Sequence, residues 1–202
     1  SADMIDLPVD YEGLSKAGSM MGSGGMIVMD EDACMVDVAR FFVQFTNDES
    51  CGKCTTCRDG SGALLEVLTR ITEGRGEESD IAFLEELNAA IKDASMCGLG
   101  TTLPNPVVST IRYFRDEYEA HIREKRCPAL VCRSLIRYRI LPDRCNGCGL
   151  CRKNCSLDAI AGELKKVHVI DQAACTKCGA CFEVCPPKVA ARNRLARGVR
   201  IP

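Results

Sequence analysis

The chain contains no tryptophan, and only 5% of its residues are aromatic. So few large aromatic side chains indicate a sparsely packed core, which bound cofactors help to stabilise. Neither sign of charge is in excess: the formal net charge of −2 provides no overall field that would favour nucleic acid or a membrane surface. The sequence also lacks an apolar run long enough to span a membrane. Its first residues are acidic and mixed, unlike a secretory signal.

Histidine is scarce, with two residues, whereas cysteine is abundant, with 15. No residue has to be explained as part of a Ser/His/Asp or Cys/His arrangement for nucleophilic catalysis. We therefore predict no catalytic residue. A cysteine-rich chain without an export signal binds metal more often than it forms disulfides. We therefore expect a metal-binding protein of a reducing compartment, the cytoplasm.

The cysteines follow one repeated pattern, C-x2-C-x2-C, at residues 51–57, 145–151 and 175–181. Each copy lets three thiolates from one tight loop converge on one small object, and the fourth ligand then comes from elsewhere. This is the ligation pattern of a cubane [4Fe–4S] cluster. The pattern predicts three such clusters and a chain that carries electrons.

The second and third copies are extended to C-x2-C-x2-C-x3-C by Cys155 and Cys185. This resembles the run of bacterial two-cluster ferredoxins, in which each fourth cysteine ligates the other cluster. Ser156 replaces the usual proline after the first run, which affects the stiffness of the turn rather than ligation. A zinc ribbon is disfavoured because it uses C-x2-C pairs. The resemblance implies one cluster on Cys145, Cys148, Cys151 and Cys185, and another on Cys175, Cys178, Cys181 and Cys155.

The first copy needs its own fourth ligand, and Cys97 is the candidate. Gly98 and Gly100 beside it allow the backbone to fold close to a cluster. A lone cysteine is otherwise most simply a buried structural residue. We favour the ligand because a three-thiolate loop requires a fourth donor. The predicted set is Cys51, Cys54, Cys57 and Cys97.

The chain divides into four stretches. Residues 1–30 are glycine-rich and end in a short apolar run at 26–29, which predicts a buried strand. Residues 31–126 have the periodicity of four amphipathic helices with short links, typical of a bundle. Residues 127–141 are a predicted linker, and residues 142–202 a ferredoxin-like domain with a basic tail. The predicted fold class is mainly α: a four-helix bundle with one [4Fe–4S] cluster, then an α+β domain with two.

Two details of these elements are specific enough to test. The fourth helix is expected to run unbroken from Pro106 to Ile122, and a strand at 166–170 should pair with residues 157–160 or 135–140. The inward face of the first helix is expected at Met35, Val38, Phe42 and Phe45.

Three motifs carry a more specific resemblance: residues 24–30 (GGMIVMD), 49–60 (ESCGKCTTCRDG) and 97–100 (CGLG). Followed by the helix at 106–122, they resemble the C-terminal part of the NADH- and FMN-binding subunit of respiratory complex I and its soluble hydrogenase relatives. With the ferredoxin-like tail, the chain is most similar to the beta subunit of multimeric bifurcating or NAD(P)-linked [FeFe]-hydrogenases. NAD-dependent formate dehydrogenases have a similar subunit.

The resemblance implies a relay of single electrons through three [4Fe–4S] clusters. FMN and NAD(P) would bind a preceding part of the intact subunit, residues 1–30 would be the tail of a ubiquitin-like insertion, and this stretch alone would lack a complete active site. The expected partners are other hydrogenase or formate dehydrogenase subunits and a soluble ferredoxin. Two alternatives stay open: a complex I-type NADH:quinone oxidoreductase subunit, and a metal-stapled structural adaptor without redox chemistry.

Three cysteines are left over: Cys34, Cys127 and Cys132. The last two form a C-x4-C pair at the junction of the two domains, a spacing found in structural zinc sites. His121 lies two helical turns earlier, and Cys34 begins the first helix. The four residues predict a closed zinc site, a zinc hinge between the domains. The simpler alternatives are a solvent-facing His121 and a buried apolar Cys34.

Overall fold

A computed structural model describes residues 4–30, 32–186 and 193–196 of the chain. It divides into two compact units, Ser1–Asp30 and Glu31–Pro202. Most of the basic tail predicted after residue 186 lies outside the described residues.

Helices dominate the described residues, as predicted. They are α1 (Tyr11–Lys16), α2 (Met35–Asp48), α3 (Thr55–Thr72), α4 (Asp80–Ala94), α5 (Gly98–Thr102), α6 (Asn105–Tyr113), α7 (Arg115–Ile122), α8 (Leu150–Lys153) and α9 (Ala180–Glu183). The strands are β1 (Ile136–Arg139), β2 (Ile160–Ala161), β3 (Val169–Ile170) and β4 (Asn193–Ala196).

The first unit contains α1, whose start is fixed by Asp10: the carboxylate accepts a hydrogen bond from the Gly13 N–H at 2.6 Å. The buried strand predicted at Met26–Met29 is wrong. These residues form no strand, and Val28 is 83% exposed. An apolar run becomes a buried strand only where a neighbouring strand satisfies its backbone groups, and the described part of this unit contains none.

In the second unit, α2 packs on α3 and α6, and α4 packs on the same two helices. The enclosed core is aliphatic, and fully burying each such side chain contributes about 1.5–3 kcal/mol. No helix among the described residues is both long and apolar enough to cross a membrane. The largest fully buried aliphatic residues of this core are Leu64, Leu68, Ile71, Leu84, Ile91 and Leu135.

The inward face predicted for α2 is partly wrong. Phe45 is 56% exposed, whereas Val36, Ala39 and Val43 are fully buried. Both stripes have helical spacing, so periodicity alone cannot choose between them. The packing selects the stripe of smaller side chains because these let α3 approach α2 closely.

The fourth predicted helix is broken at Phe114, whose φ of −135° and ψ of 38° are not helical. Its two halves are α6 and α7. Across the break the buried Tyr118 hydroxyl and the Thr110 hydroxyl lie 2.8 Å apart and form a hydrogen bond. On α7, the Glu117 carboxylate accepts a hydrogen bond from the Met35 N–H at 3.1 Å. The break therefore orients α7 toward the start of α2.

An ion pair ties α3 to α4 at the edge of this core. The Asp80 carboxylate is fully buried and accepts hydrogen bonds from the Arg70 guanidinium and from the Glu77 N–H, the latter at 2.8 Å. A buried carboxylate without its cation is strongly destabilising.

We expect Arg70→Ala to lower the free energy of unfolding by about 3 kcal/mol, because it leaves Asp80 buried and unpaired. For a chain of this size the loss corresponds to a melting temperature lower by about 6–12 °C, measurable by circular dichroism. The control is Arg75→Ala, since Arg75 pairs with the exposed Glu73. That pair should contribute under about 1 kcal/mol, and equal effects of the two substitutions would contradict the prediction.

A second core lies beyond residue 135. Strand β2 pairs antiparallel with β3, with Ile160 opposite Ile170, and β1 pairs antiparallel with β4. The strand predicted at 166–170 thus pairs with the first of its two candidate partners, over two residues. Residues 127–135 of the predicted linker contribute buried side chains to the helical core, whereas Ile136 and Tyr138 belong to the second.

Candidate iron–sulfur and metal sites

The first cysteine set lies where α3 and α5 begin. Cys54 is the N-cap residue of α3, Cys57 is buried in its first turn, and Cys97 is the N-cap residue of α5. Helix N-termini offer unpaired N–H groups and a positive dipole end, which favour thiolates. Backbone N–H groups of Gly100 and Leu99 bond to the Cys97 sulfur and lower the pKa of its thiol.

Gly100, at the first cysteine set, lies between Ser95 and Cys57. A Cβ built at Gly100 would lie 2.5 Å from Ser95 Cβ and 3.4 Å from Cys57 Cβ. A side chain at residue 100 would collide with Ser95 of the same segment, whereas Cys57 of α3 lies at an ordinary contact distance. The segment that carries Cys97 therefore contacts Cys57 of the three-cysteine loop through Gly100, although the two segments are far apart in sequence.

Hydroxyl groups around this set fit a sulfur-rich ligand. Ser50 Oγ lies 3.6 Å from Cys57 Sγ. Thr56 Oγ1 and Ser95 Oγ are buried, yet neither has a hydrogen-bond partner within the described part of the chain. Burying a hydroxyl without a partner is costly, so such groups indicate an acceptor that the polypeptide does not supply. Four thiols with orphaned donors beside them match the needs of an iron–sulfur cluster.

In the second core, four cysteines of the predicted sets line one small cavity. Cys155 from the first run faces it together with Cys175, Cys178 and Cys181 from the second. Burial, and after it the charges of the neighbouring thiolates of Cys175, Cys151 and Cys178, raise the pKa of the Cys181 thiol to about 11. Thiols crowded in this way resist ionisation unless a metal compensates their charge.

The set of Cys145, Cys148, Cys151 and Cys185 shows the same crowding of thiols. Burial raises the pKa of the Cys151 thiol, and the charges of Cys145, Cys148 and Cys185 act in the same direction. Cys151 is thus near the fourth cysteine of the other run, as cross-ligation requires. Gly149 and Gly179 precede α8 and α9 with φ of 76° and 86°, a left-handed conformation that glycine adopts without strain.

The four residues of the predicted zinc site lie close together. One ligand atom each from Cys34, His121, Cys127 and Cys132 lies within 4.8 Å of the others, and all four residues are buried. Cys34 Sγ is 3.7 Å from Cys132 Sγ and 3.4 Å from His121 Nε2. Tetrahedral zinc, with bonds of about 2.3 Å to sulfur and 2.0–2.1 Å to nitrogen, places two sulfurs about 3.8 Å apart and sulfur and nitrogen about 3.5 Å apart. The separations match a single tetrahedral ion.

The orientation of His121 also suits a metal ligand. Its Nδ1 lies 2.7 Å from the Glu117 carbonyl oxygen, which can only accept, so Nδ1 carries the proton and donates. Nε2 then faces the sulfurs. Burial lowers the pKa of His121, but hydrogen bonds with Cys127 and Cys34 outweigh it and raise the pKa to about 10. Hydrogen bonds from Cys132 and Cys34 lower the pKa of Cys127, so the metal-free site pairs an imidazolium with a thiolate.

Sequence reasoning missed the groups that surround the ligands. The Glu117 carbonyl that orients His121 is a backbone atom, for which residue type gives no signal. The hydroxyls of Ser50, Thr56 and Ser95 lie one or two residues from a predicted ligand, and that proximity was the available signal.

Two family models match the chain. Residues 37–121 match the NADH-ubiquinone oxidoreductase-F iron-sulfur binding region, and residues 144–190 match a 4Fe-4S dicluster domain. The first match contains the set around Cys97, and the second contains both ferredoxin-like runs. The sequence-based resemblance to the C-terminal part of an NADH-binding subunit, and the presence of iron–sulfur binding regions, are thereby confirmed.

Individual relatives agree with these matches. The chain is 54% identical over 164 residues to the NADP-reducing hydrogenase subunit HndC of Solidesulfovibrio fructosivorans, covering 81% of this chain and 34% of the relative. It is 43% identical over 124 residues to an NADH-quinone oxidoreductase subunit of Mycobacterium tuberculosis, covering 61% of this chain and 28% of the relative. The chain thus spans about a third of these relatives' length.

A crystal structure of an NAD+-reducing [NiFe]-hydrogenase in the H2-reduced state aligns with a TM-score of 0.46 and 33% identity. The alignment covers 48% of this chain and 17% of that one.

Proposed function

We propose that this chain is the electron-relaying part of an NAD(P)H-linked oxidoreductase subunit, in which three [4Fe–4S] clusters connect a flavin to partner proteins. The observation that carries the proposal is the single cavity lined by Cys155 of one run and Cys175, Cys178 and Cys181 of the other, and the matches to two iron–sulfur binding regions support it. FMN and NAD(P) belong to the intact subunit in this proposal. The partners are other subunits of a cytoplasmic hydrogenase or formate dehydrogenase complex and a soluble ferredoxin.

Each cluster would supply one-electron transfer when bound. The chain's own residues hold it: the thiolates of the three cysteine sets bind iron, and backbone N–H groups at Cys97 offset their negative charge. In this proposal, residues 31–126 form a four-helix bundle for one cluster, and residues 142–202 form a ferredoxin-like domain for two.

The site formed by Cys34, His121, Cys127 and Cys132 is proposed to bind structural zinc. The ion has no redox chemistry, and a closed tetrahedral set leaves no position for substrate. It would fix residues 127–135 to the start of α2 and the end of α7, just before the second core begins at Ile136. This arrangement supports a hinge between the two cluster-binding regions.

A hydrogenase-type subunit is favoured over a quinone-reducing one by the length of the matches. The 164 residues shared with the hydrogenase relative exceed the 143 that precede the dicluster domain, so that match extends into it. The 124 residues shared with the quinone oxidoreductase relative need not. Native mass spectrometry of the purified complex would identify the companion subunits, and a quinone-linked membrane assembly would contradict the hydrogenase-type assignment.

The number of electrons that the chain accepts distinguishes an electron relay from a structural adaptor. We expect coulometric titration of the iron-loaded chain under anaerobic conditions to take up about three electrons, one for each [4Fe–4S] cluster. Low-temperature EPR after dithionite should show the corresponding paramagnetic signals. A chain that binds metal but accepts no electrons would contradict the relay and support the adaptor alternative, since zinc is redox-inert.

A further inference from the structure

The buried hydroxyl of Ser95 has no role in holding the polypeptide together. Ser95 is the C-cap residue of α4, and its backbone N–H already bonds to the Ile91 carbonyl at 3.1 Å. Its Oγ is buried without a hydrogen-bond partner in the described part of the chain. Leaving a buried hydroxyl unpaired is costly, so an acceptor is expected in the functional molecule.

This hydroxyl lies next to a residue of the first cysteine set. The point that a Gly100 Cβ would occupy lies 2.6 Å from Ser95 Oγ and 3.4 Å from Cys57 Cβ, so both groups flank the same small space. Ser95 also lies two residues before Cys97. A cluster bound by this set would bring sulfur atoms to this region, and sulfur can accept the bond that the hydroxyl lacks.

A second hydroxyl, that of Ser50, lies directly beside a sulfur of this set. Ser50 Oγ accepts a hydrogen bond from the Gly52 N–H at 3.3 Å and lies 3.6 Å from Cys57 Sγ. Since Oγ accepts from Gly52, its own proton is free to point at the sulfur. Thr56, whose Oγ1 is likewise buried and unpartnered among the described residues, lies between Cys54 and Cys57.

We propose that Ser95, supported by Ser50, donates a hydrogen bond to a sulfur atom of the cluster held by the Cys51, Cys54, Cys57 and Cys97 set, and thereby raises its reduction potential. Reduction adds negative charge to the sulfurs, and a hydrogen bond to a charged acceptor is stronger than one to a less charged acceptor. The donor therefore stabilises the reduced state more than the oxidised state.

The test is a redox titration of the iron-loaded Ser95→Ala variant, followed by EPR. At the wild-type midpoint potential, the ratio of reduced to oxidised cluster should fall about three- to tenfold, which converts to about 28–59 mV for a one-electron couple. The signals of the other two clusters serve as internal references and should not shift. Ser50→Ala should shift the same signal in the same direction.

The matched control is Ser109→Ala. Ser109 is a serine of α6 whose hydroxyl already donates to the Pro106 carbonyl at 3.3 Å, and its removal should leave all three potentials unchanged. Ser95→Thr, which keeps the hydroxyl, should restore the wild-type potential. Pulsed EPR in deuterium oxide provides a direct readout, because an exchangeable deuteron coupled to the reduced cluster should be present in the wild type and lost in Ser95→Ala.

The inference rests on the proposed cluster, but the two fail differently. If the wild-type chain binds no iron at the Cys97 set, the proposed function fails. If iron content is normal while Ser95→Ala and Ser50→Ala leave both the potential and the deuteron coupling unchanged, only the hydrogen bonds are refuted, and the hydroxyls bond to water instead. Should Ser95→Ala fail to retain its cluster, the Ser50→Ala titration decides the outcome.

Discussion

Replacing Cys97 with alanine should lower the iron content of the anaerobically loaded chain from about twelve to about eight per molecule, because one of three four-iron clusters loses its fourth ligand. Acid-labile sulfide should fall in parallel. The EPR signals of the two ferredoxin-like clusters should persist, because their eight cysteines lie in residues 145–185, apart in sequence from the Cys97 loop, and four of them pack against the second core. Iron and sulfide assays with EPR on the same sample measure all three quantities.

The control for this substitution is Cys34→Ala. Cys34 is also the N-cap residue of a helix, but it belongs to the group with His121 and not to an iron–sulfur set. Its loss should leave iron near twelve atoms. A wild-type chain that saturates near eight, or a Cys97→Ala variant that keeps its full iron, would refute the assignment of Cys97 as the fourth ligand.

The second large effect is expected at the candidate zinc site. Purified without chelators, the chain should contain about one zinc beyond its iron, and Cys127→Ser should lose the zinc while keeping the iron. All four ligands are buried in or against the helical core. We therefore expect the loss to destabilise the chain by at least about 3 kcal/mol and to lower the melting temperature by about 6–12 °C. Elemental analysis and circular dichroism measure these effects.

Substitutions of the two histidines provide a test of this site and its matched control. His121 and His168 are both buried, but only His121 faces the three thiols. His121→Gln should lose zinc, and His168→Gln should retain it. Because the ion binds neutral imidazole and thiolates, while His121 has a pKa of about 10 in the metal-free site, zinc uptake should release protons. A chain that never contains zinc would mean that Cys127 and Cys132 are ordinary buried residues.

Local sequence periodicity determined the existence of the helices but not how they face or end. The helices that it predicts within residues 31–126 include α3 and α4, on which Leu64, Leu68 and Leu84 are fully buried. On α2 two stripes were available, and contact with α3 decided between them. The break at Phe114 was not predicted because the apolar spacing continues through it.

What the sequence by itself determined is the presence of iron–sulfur binding regions. Cysteine spacing within a loop is a local property, so three thiolates that can meet one cluster are recognisable without a fold. The helical periodicity of residues 35–122 is also a local property, so it too is recognisable without a fold.

Only the tertiary structure decided which distant donors meet. Cys34 and His121 are 87 residues apart, and only the packing of α2 against α7 brings their ligand atoms within 3.4 Å. The structure likewise shows Ser95 and Cys57 flanking Gly100, and the Met26–Met29 run exposed rather than buried. In each case the outcome depends on contacts between segments far apart in sequence, which a local pattern does not contain.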